Sequence, residues 1–529
     1  MEDEMAQKIS KLKEVKGKLV QGGGAEKIAR QHQQGKLSAW ERIDRLVDPG
    51  SFVALNMFLG HEINAPGDGI ISGYGTIDGR QVCVYSQDAT VFGGSVGPYH
   101  GYLMYRTTER ALEMGVPAIG LLDSAGARAM KMGHPAAFDA ARHGEEKSVH
   151  SVYMPITQAS GVIPQLSAIL GSCAGVSVYA PALTDFIFMV DGISHMFITG
   201  PRVVESVMSQ DVSKEELGGA RVHTRISGVA DFRDKSEDAC FERIRRLLSF
   251  LPSNNRELPP VVDTGDDPER LDDAIANIVP TTPYRSYDMH QVINRLVDNG
   301  DFFEVRPEFA ANVVVGFGRL EGRTVGFIAS QPMVMAGALT YDSSNKQARF
   351  IRFCDCFNIP IVILVDTPAY MPGLDQEHRG IIRHGAKVLY AWCEAVVPRI
   401  AVLLRKGYGG GMIGMGVMAG MGTDFVFAWP SAEIGVLGPE QSVDLFYAEE
   451  ISKAENKEAF RAQKIKEYRD FYANPISVAS EATYIHDVIE PPETRRSLIR
   501  ALRLMRNKNL THYPKDTIKY PKRHGNIPL

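Results

Sequence analysis

The sequence lacks any long apolar run and any block of basic residues. Its 529 residues carry 58 Lys and Arg against 63 Asp and Glu, so the formal net charge is −5. The apolar run IPIVILV at 359–365 has the length of a buried strand and falls far short of the ~18 residues that a membrane span requires. These absences predict that the chain has no membrane span and does not bind nucleic acid as its main task.

Cysteine is scarce and badly spaced for a metal or disulfide framework. Six cysteines are scattered along the chain, and the nearest two, Cys354 and Cys356, have no second pair to complete a zinc site. The pattern predicts free, buried thiols in a reducing compartment. The N-terminal residues MEDEMAQKIS are acidic and polar, unlike a secretory or transit peptide, so we expect a cytoplasmic protein.

The common catalytic motifs are also missing. The chain contains no G-x-S-x-G nucleophile elbow, no H-E-x-x-H zinc motif and no phosphate-binding G-x-x-x-x-G-K-[ST] loop. One segment, residues 131–153, is rich in potential metal ligands: His134, His143, His150, Glu145 and Glu146. Their spacings match no standard ligand set, so we predict a solvated polar segment here and no metal site.

The most informative feature that is present is an internal repeat. The repeat pairs residues 72–95 with 315–338, 115–127 with 358–370, 161–191 with 395–430, and 196–207 with 434–446. The pairs occur in the same order and at a constant offset of about 240 residues, which predicts a tandem duplication.

Each half alternates short apolar runs with helical stretches. Residues 115–123 and 161–171 are continuous apolar strands of the kind that is covered on both faces, and residues 102–115 and 346–358 have helical periodicity. This alternation predicts an α/β fold with a largely parallel sheet in each half. The Pro-, Asn- and Asp-rich segment 250–271 reads as a linker, so we place the two domains at 1–260 and 261–529.

Two equivalent turns of the repeat are rich in glycine and small residues. They are ILGSCAGVSVYAP at 169–181 and LLRKGYGGGMIGMG at 403–416. The first amides of a helix have no intrahelical partner, so two of them aimed at a carbonyl oxygen form an oxyanion hole. Close helix–strand packing is the alternative for a single turn, but two copies favour two anion-stabilising sites. The methionine-rich run after Gly411 suits either a pocket wall or core packing.

These motifs together resemble the carboxyltransferase (β) subunit of biotin-dependent acyl-CoA carboxylases, the propionyl-CoA carboxylase type most of all. The resemblance covers nearly the whole chain. Its most distinctive segments are YSQDATVFGGS (85–95), DSAGAR (123–128), LGGARVH (217–223), DSSNKQARFIRFCDCFNIPI (342–361), GIIRHGAK (380–387), RKGYGG (405–410) and WPSAEIGVLG (429–438).

The resemblance implies a tandem of two crotonase-like domains that moves a carboxyl group from carboxybiotin to the α-carbon of an acyl-CoA. Two oxyanions develop in that reaction, and a duplicated fold supplies two holes. The released biotin anion takes the α-proton in this family, so no side-chain base is expected. The family also implies a homo-oligomer, usually a hexamer, whose sites form between the N domain of one subunit and the C domain of another. Biotin and biotin carboxylase are expected on a separate subunit.

Carried over by motif, Ala174 and Gly175 match the hole that faces the acyl thioester, and Gly410 and Gly411 match the hole that faces biotin. The resemblance implies further substrate-binding positions at Gly93, Gly94, Ala125, Gly126, Arg128, Val176, Met412 and Ile413. At Val176 the family usually has glycine, and at Met412 and Ile413 the propionyl type usually has Tyr and Asp. These departures leave the identity of the acyl group open.

Residues 129–132 read Ala-Met-Lys-Met, the tetrapeptide in which biotinyl domains carry biotin on lysine. A carrier domain needs roughly 70–80 residues of its own, which this position inside a catalytic domain does not offer. We therefore predict that Lys131 is not biotinylated and lies on the surface or at the coenzyme A entrance.

Two alternative functions remain open at the level of sequence. The first is the carboxyltransferase subunit of a biotin-dependent acyl-CoA decarboxylase, which would use the same residues. The second is a crotonase-type hydratase or isomerase without biotin, which would need an acid/base carboxylate beside the first hole.

Overall fold

The computed structural model describes residues 2–61, 65–128, 152–508 and 524–527. The chain divides into two compact units between Glu257 and Leu258, close to the predicted boundary at 260 and 261. The first unit holds the described residues up to Glu257 together with 524–527, and the second holds 258–508. Lys131 and the His- and Glu-rich stretch up to His150 lie outside the described residues, so the predictions made for them stay predictions.

The first unit contains nine short strands and ten helices within its described residues. The strands are β1 (Val53–Leu55), β2 (Ile70–Ile77), β3 (Arg80–Gln87), β4 (Ala118–Leu122), β5 (Gln165–Ile169), β6 (Ser172–Ala174), β7 (Phe186–Val190), β8 (His195–Phe197) and β9 (Phe232–Asp234). The helices are α1 (Glu2–Val20), α2 (Ala25–Gln33), α3 (Ala39–Leu46), α4 (Pro98–Met114), α5 (Tyr153–Ala159), α6 (Val176–Ala182), α7 (Pro201–Met208), α8 (Lys214–Gly218), α9 (Ala220–Arg225) and α10 (Glu237–Phe250).

The main sheet of the first unit has the order β1-β2-β3-β4-β5-β7-β9. Its first three strands pair antiparallel, and the hairpin between β2 and β3 turns at Asp78 and Gly79, both with positive φ as a tight hairpin turn requires. From β3 onward every pairing is parallel. The strands β6 and β8 form a separate two-stranded parallel sheet.

The second unit contains eight strands and ten helices within its described residues. The strands are β10 (Phe303–Val305), β11 (Val313–Leu320), β12 (Arg323–Ser330), β13 (Ile361–Thr367), β14 (Arg399–Tyr408), β15 (Phe425–Ala428), β16 (Glu433–Gly435) and β17 (Asp487–Val488). The helices are α11 (Met289–Leu296), α12 (Tyr341–Cys356), α13 (Leu374–His378), α14 (Ile381–Glu394), α15 (Gly409–Gly414), α16 (Pro439–Phe446), α17 (Ala448–Lys453), α18 (Lys457–Phe471), α19 (Pro475–Glu481) and α20 (Thr494–Leu504).

The second sheet repeats the topology of the first. Its order is β10-β11-β12-β13-β14-β15-β17, with an antiparallel start followed by parallel pairings, and β16 pairs with β14. The long strand β14 corresponds to β5 and β6 together, because its far end pairs with β16 as β6 pairs with β8. The predicted α/β class and the predicted duplication are both confirmed.

Burial explains why the sequence forms these elements. Every residue of β13 is buried, including its five apolar residues Ile361–Val365, which is typical of a strand that is covered on both faces. The predicted periodic helices are α4 and α12, each preceding a parallel strand. Five of the six cysteines are buried free thiols, as predicted, and Cys393 is exposed. Within the described ranges, none of the helices combines the length and apolarity that crossing a bilayer requires.

One buried ion pair joins the C-terminal helix of the second unit to its sheet. Arg495 on α20 donates to Asp298 over 2.7 Å and to the Leu296 carbonyl over 2.6 Å, and each partner's side chain is 1% exposed. Asp298 also accepts the Gly322 backbone N–H over 2.7 Å. The carboxylate therefore holds a helix and a hairpin at one point.

We predict that Arg495→Met destabilises the protein by about 3–5 kcal/mol, because it leaves the Asp298 charge buried without its cation. Arg500→Met is the matched control on the same helix, since Arg500 is 60% exposed and pairs with Glu269 at the surface. Urea unfolding followed by circular dichroism measures both. Equal midpoints for the two variants would contradict the assignment.

Candidate active site

The site in the first unit begins at a buried carboxylate that follows strand β4. Asp123 accepts from Lys36 Nζ at 2.6 Å and from Arg42 Nη1 at 3.3 Å. Arg42 also donates from Nε to Glu237 over 2.9 Å and from Nη2 to the Leu170 carbonyl over 2.7 Å. Burial by itself would lower the pKa of Arg42, but the two carboxylates outweigh it and raise that pKa. Two cations thus balance two acids under the loop 123–128.

In the second unit Asp366 stands at the equivalent end of strand β13, and its charge is balanced by different residues. Arg405 Nε donates to Asp366 over 3.0 Å, and the Lys406 backbone N–H donates over 3.2 Å. Position 405 corresponds to Gly171, where a β-carbon would overlap the Asp123 carboxylate. The cations therefore come from strand β14 in the second unit and from the segment around α2 and α3 in the first.

A glycine-rich turn leads from β6 into α6. The Gly175 N–H is already engaged, because it donates to the carbonyls of Phe197 at 3.2 Å and Ile198 at 3.0 Å. Ala174 lies in the paired strand β6. The next amides, those of Val176 and Ser177, open helix α6 and have no intrahelical partner. Neither donates to a loop carbonyl or a side chain within the described residues. We call them the first amide pair.

The same turn in the second unit leads from β14 into α15. The strand registers align Ala174 with Tyr408 and Gly175 with Gly409, because Ala174 pairs with Phe197 as Tyr408 pairs with Gly435. The amides of Gly410 and Gly411 therefore correspond to the first amide pair, and we call them the second amide pair. They likewise donate to no loop carbonyl or side chain among the described residues.

The residues carried over from the family motif are not equivalent in this register. The motif assigned Ala174 and Gly175 to the first hole and Gly410 and Gly411 to the second. In the structure the counterparts of Gly410 and Gly411 are Val176 and Ser177, and the Gly175 amide is used by the backbone. Gly175, at φ 59°, is the last residue before helix α6 in the first unit, so the two amides that open this helix are those of Val176 and Ser177.

The loop after β4 lies against the first amide pair. Ser124 Oγ is 2.9 Å from Ser177 Oγ, and a β-carbon at Gly126 would lie 2.7 Å from the Ala174 carbonyl oxygen. The loop is fixed in turn by the residues after β3, since Ala125 N–H donates to the Gly93 carbonyl over 3.0 Å. A β-carbon at Gly94 would overlap the Asp123 carbonyl oxygen. The structure thus brings together Gly93, Gly94, Ala125, Gly126 and Ala174.

Arg128 closes the far end of this loop. Its guanidinium is paired with Asp68 and donates to Ser95 Oγ over 3.0 Å, and it lies 4.4 Å above the ring centre of Phe92. The side chain is 12% exposed. Its charge is therefore already compensated inside the unit, and its local effect is to hold the loop.

The predicted apolar wall of the second site divides into two environments. Met412 is buried, and its Sδ would lie 3.3 Å from a β-carbon at Gly407, which places it in the packing beneath β14. Ile413 is half-buried. In the first unit Val176 is also half-buried, directly at the first amide pair.

Sequence reasoning did not single out Tyr370, which follows β13 in the second unit. Its ring lies beside the second amide pair, because a β-carbon at Gly410 would be 3.7 Å from Tyr370 Cδ2. Burial raises the pKa of Tyr370. A residue-by-residue comparison of the repeat would have found it, since an aromatic ring stands here where the first half has Ala127.

Comparison with known proteins places this geometry in a family. The sequence model of the carboxyl transferase domain family matches residues 30–519 of this chain. The chain is 47% identical to the propionyl-CoA carboxylase carboxyltransferase subunit of Haloferax mediterranei, over 99% of this chain and 100% of the relative. It is 46% identical to the methylmalonyl-CoA decarboxylase subunit alpha of Veillonella parvula, over 99% of each chain.

A solved structure agrees. The hexameric transcarboxylase 12S, with methylmalonyl-coenzyme A and methylmalonic acid bound, superposes with a TM-score of 0.88 at 42% identity, over 97% of this chain and 98% of that one. The chain therefore belongs to the carboxyl transferase family. It is an enzyme, a carboxyltransferase, and the predicted resemblance to the acyl-CoA carboxylase subunits and the predicted crotonase-like fold are confirmed.

We predict that Gly411→Ala displaces the second amide pair, whereas Gly410→Ala is accommodated. A β-carbon at Gly411 would lie 2.9–3.1 Å from the backbone atoms of Ala369, while one at Gly410 would meet only Tyr370 Cδ2, at 3.7 Å. Thermal unfolding should show a lower midpoint for Gly411→Ala alone. A larger loss of stability in Gly410→Ala than in Gly411→Ala would contradict this packing.

Proposed function

We propose that this chain is the carboxyltransferase component of a biotin-dependent acyl-CoA carboxylase. It transfers a carboxyl group from carboxybiotin, held on a separate carrier, to the α-carbon or vinylogous carbon of an acyl-CoA. The observation that carries the proposal is the pair of equivalent, unengaged amide pairs, one in each unit, at the ends of the same strands of a duplicated fold. Two developing oxyanions need two such sets of donors.

The first amide pair is assigned to the acyl thioester. As the α-carbon becomes nucleophilic, negative charge develops on the thioester oxygen, and the Val176 and Ser177 amides donate to it. They replace Ala174 and Gly175 in this role because the Gly175 amide is engaged. A preorganised donor of this kind is typically worth about 3 kcal/mol of transition-state stabilisation. Gly93, Gly94, Ala125 and Gly126 hold the neighbouring loop close to the acyl group.

The second amide pair is assigned to biotin, and the residues present fit that group. A ureido ring is flat and exposes a carbonyl oxygen, which requires backbone donors and room beside them. Gly410 is exposed and has no β-carbon to fill that room, and its amide and that of Gly411 are unengaged. Carboxybiotin, when bound, supplies the carboxyl group. The chain's own contribution is to orient the ureido oxygen and to stabilise charge on it.

The buried carboxylate at the start of the loop 123–128 does not suit a biotin-independent hydratase or isomerase. That chemistry needs an acid or base free to exchange protons beside the thioester. Asp123 is buried and its carboxylate is paired with both Lys36 and Arg42, so it is not free to act beside the thioester. This supports the carboxyltransferase over the hydratase.

Assembly and location follow from the same proposal. The hexamer of the transcarboxylase 12S supports a homo-oligomer for this chain, with a hexamer as its expected form. A biotin carboxylase and a biotin carrier are the expected partners, because the sequence predicts that Lys131 does not carry biotin. The cytoplasmic location stays a prediction.

A second candidate is the carboxyltransferase subunit of an acyl-CoA decarboxylase. The 46% identity to the methylmalonyl-CoA decarboxylase subunit alpha over 99% of both chains supports it. The site chemistry is common to both, so the partner subunits decide. Isolation of the native complex, followed by a test for ATP-dependent bicarbonate fixation, separates them: fixation indicates the carboxylase, and its absence with sustained decarboxylation indicates the decarboxylase.

We predict that Gly410→Pro lowers carboxyl transfer by about 100-fold or more, because it deletes one oxyanion donor. Proline is tolerated in the first turn of a helix, so folding should survive. Gly410→Ala is the matched control for the added bulk, since it adds a β-carbon beside the ureido ring but keeps the N–H, so the loss in Gly410→Pro beyond that in Gly410→Ala reports the missing donor. Binding of acyl-CoA, measured by calorimetry, should be retained in both variants. Near wild-type transfer by folded Gly410→Pro would refute the assignment of this donor.

The reaction itself is tested in reverse, without a partner protein. The purified chain is mixed with free biotin and with malonyl-, methylmalonyl-, ethylmalonyl-, methylglutaconyl- or glutaconyl-CoA, and decarboxylation is followed. Turnover that requires biotin with one member of the panel establishes the transfer and identifies the acyl group. A well-folded oligomer that turns over none of them contradicts the proposed function for these substrates.

A further inference from the structure

The two amide pairs are bordered by side chains of opposite size. In the first unit the residue that begins helix α6 beside the amide pair is Val176, and the residue of the loop after strand β4 is the exposed Ala127. In the second unit the helix position is Gly410, and the loop position is Tyr370. The loop positions are equivalent because Ala127 bridges to Val96 as Tyr370 bridges to Leu339. The bulky residue therefore comes from the helix in one unit and from the loop in the other.

Small residues around Tyr370 make room for its ring. A β-carbon at Gly414 would lie 2.6 Å from Tyr370 Oη, and one at Gly385 would lie 3.3 Å from the same atom. The strand registers align Gly414 with Ala180, which is 1% exposed in the first unit. In the first unit, where the loop residue is Ala127, this helix position accommodates the β-carbon of Ala180. In the second unit, where the loop residue is Tyr370, a β-carbon at Gly414 would collide with the ring.

The backbone fixes the ring in place. The Leu339 N–H donates to the Ala369 carbonyl over 3.0 Å, and the Met371 N–H donates to the Leu339 carbonyl over 2.7 Å, so both neighbours of Tyr370 are tied. The Tyr370 hydroxyl is buried and makes no hydrogen bond of good geometry among the described residues, because its polar neighbour Ser344 donates instead to the Thr340 carbonyl over 2.8 Å. The contribution of this side chain is therefore its flat, rigid face rather than its polar group.

We propose that the position of the bulky side chain determines which ligand each amide pair accepts. In the first unit the helix residue Val176 is bulky and the loop residue Ala127 is small. In the second unit the loop residue Tyr370 is bulky and the helix residue Gly410 has no side chain. The rigid ring of Tyr370 beside the bare Gly410 makes a flat slot that takes the fused ureido ring of biotin. The open Ala127 position beside Val176 leaves a wider groove, walled by a branched aliphatic side chain, that takes a flexible acyl thioester. This inference rests on the proposed function and adds the specificity element of the second site.

The test compares three variants at position 370. Tyr370→Phe keeps the flat ring and loses only the hydroxyl. Tyr370→Leu keeps a bulky side chain without a flat face. The double variant Tyr370→Ala with Gly414→Ala installs the pair that the first unit has at Ala127 and Ala180, so it keeps a packing combination that the fold already accepts. Thermal unfolding and oligomer size by light scattering verify that each variant is assembled.

Free biotin and coenzyme A are the two probes. Ligand-observed saturation-transfer NMR measures the binding of each, and the reverse decarboxylation gives the KM of each substrate. We expect Tyr370→Phe to retain the biotin signal. We expect Tyr370→Leu and the double variant to lose it, with the KM for biotin raised about tenfold, a loss of the size that an aromatic contact contributes. The coenzyme A signal and the KM for acyl-CoA should not move.

The outcomes are distinct. Wild-type biotin binding in assembled Tyr370→Leu or in the assembled double variant would overturn the inference while leaving the proposed function intact. Parallel losses for biotin and coenzyme A would also overturn it, because the residue would then be structural for both sites. A wild-type chain that neither binds biotin nor decarboxylates any acyl-CoA of the panel would instead refute the proposed function.

Discussion

Neutralising a buried carboxylate at the end of a central strand is the constraint on which each unit depends. Asp123 and Asp366 stand where the loop that borders an amide pair leaves the sheet, and a single buried charge there would cost several kcal/mol if left unpaired. The first unit brings Arg42 to it from helix α3 and Lys36 from the loop before that helix, and the second brings Arg405 from the adjacent strand. Once the charge is balanced, the carboxylate can hold the loop rigidly, and rigidity is what an amide donor needs to stabilise charge without reorganising.

Close approach of backbone to backbone is the second condition. Gly126 lets the loop lie on the Ala174 carbonyl, and Gly411 lets the helix lie on the backbone of Ala369. These contacts explain why the sequence of the glycine-rich turns is compatible with both close helix–strand packing and an anion-stabilising site. Gly411 and Gly175 serve packing and backbone bonding, while Gly410 leaves room beside an unengaged amide. Close packing therefore accounts for Gly411, and the ligand binding that we propose would use the room at its neighbour Gly410.

Much of the fold could be read from the chain, because the repeat and the apolar runs are local patterns. Strands β4, β5 and β13 and helices α4 and α12 follow from apolar runs and helical periodicity that packing then reinforces. The division near Glu257 falls in a segment rich in Pro and Asn. What could not be read is hydrogen-bond register. The family motif predicts the first hole at Ala174 and Gly175, and only the pairing of β6 with β8 shows that the Gly175 amide is engaged and that Val176 and Ser177 are the counterparts of Gly410 and Gly411.

The sequence by itself determined that the chain is a duplicated α/β protein with two glycine-rich turns and the motifs of a carboxyltransferase, because repeats, composition and periodicity are properties of the chain order. Tertiary structure alone decided which amides are unengaged, that Arg128 is held by Asp68, that Met412 faces the core and that Tyr370 borders the second amide pair. Each of these depends on contacts between residues that are distant in sequence. Such contacts exist only after the strands have paired and the helices have packed.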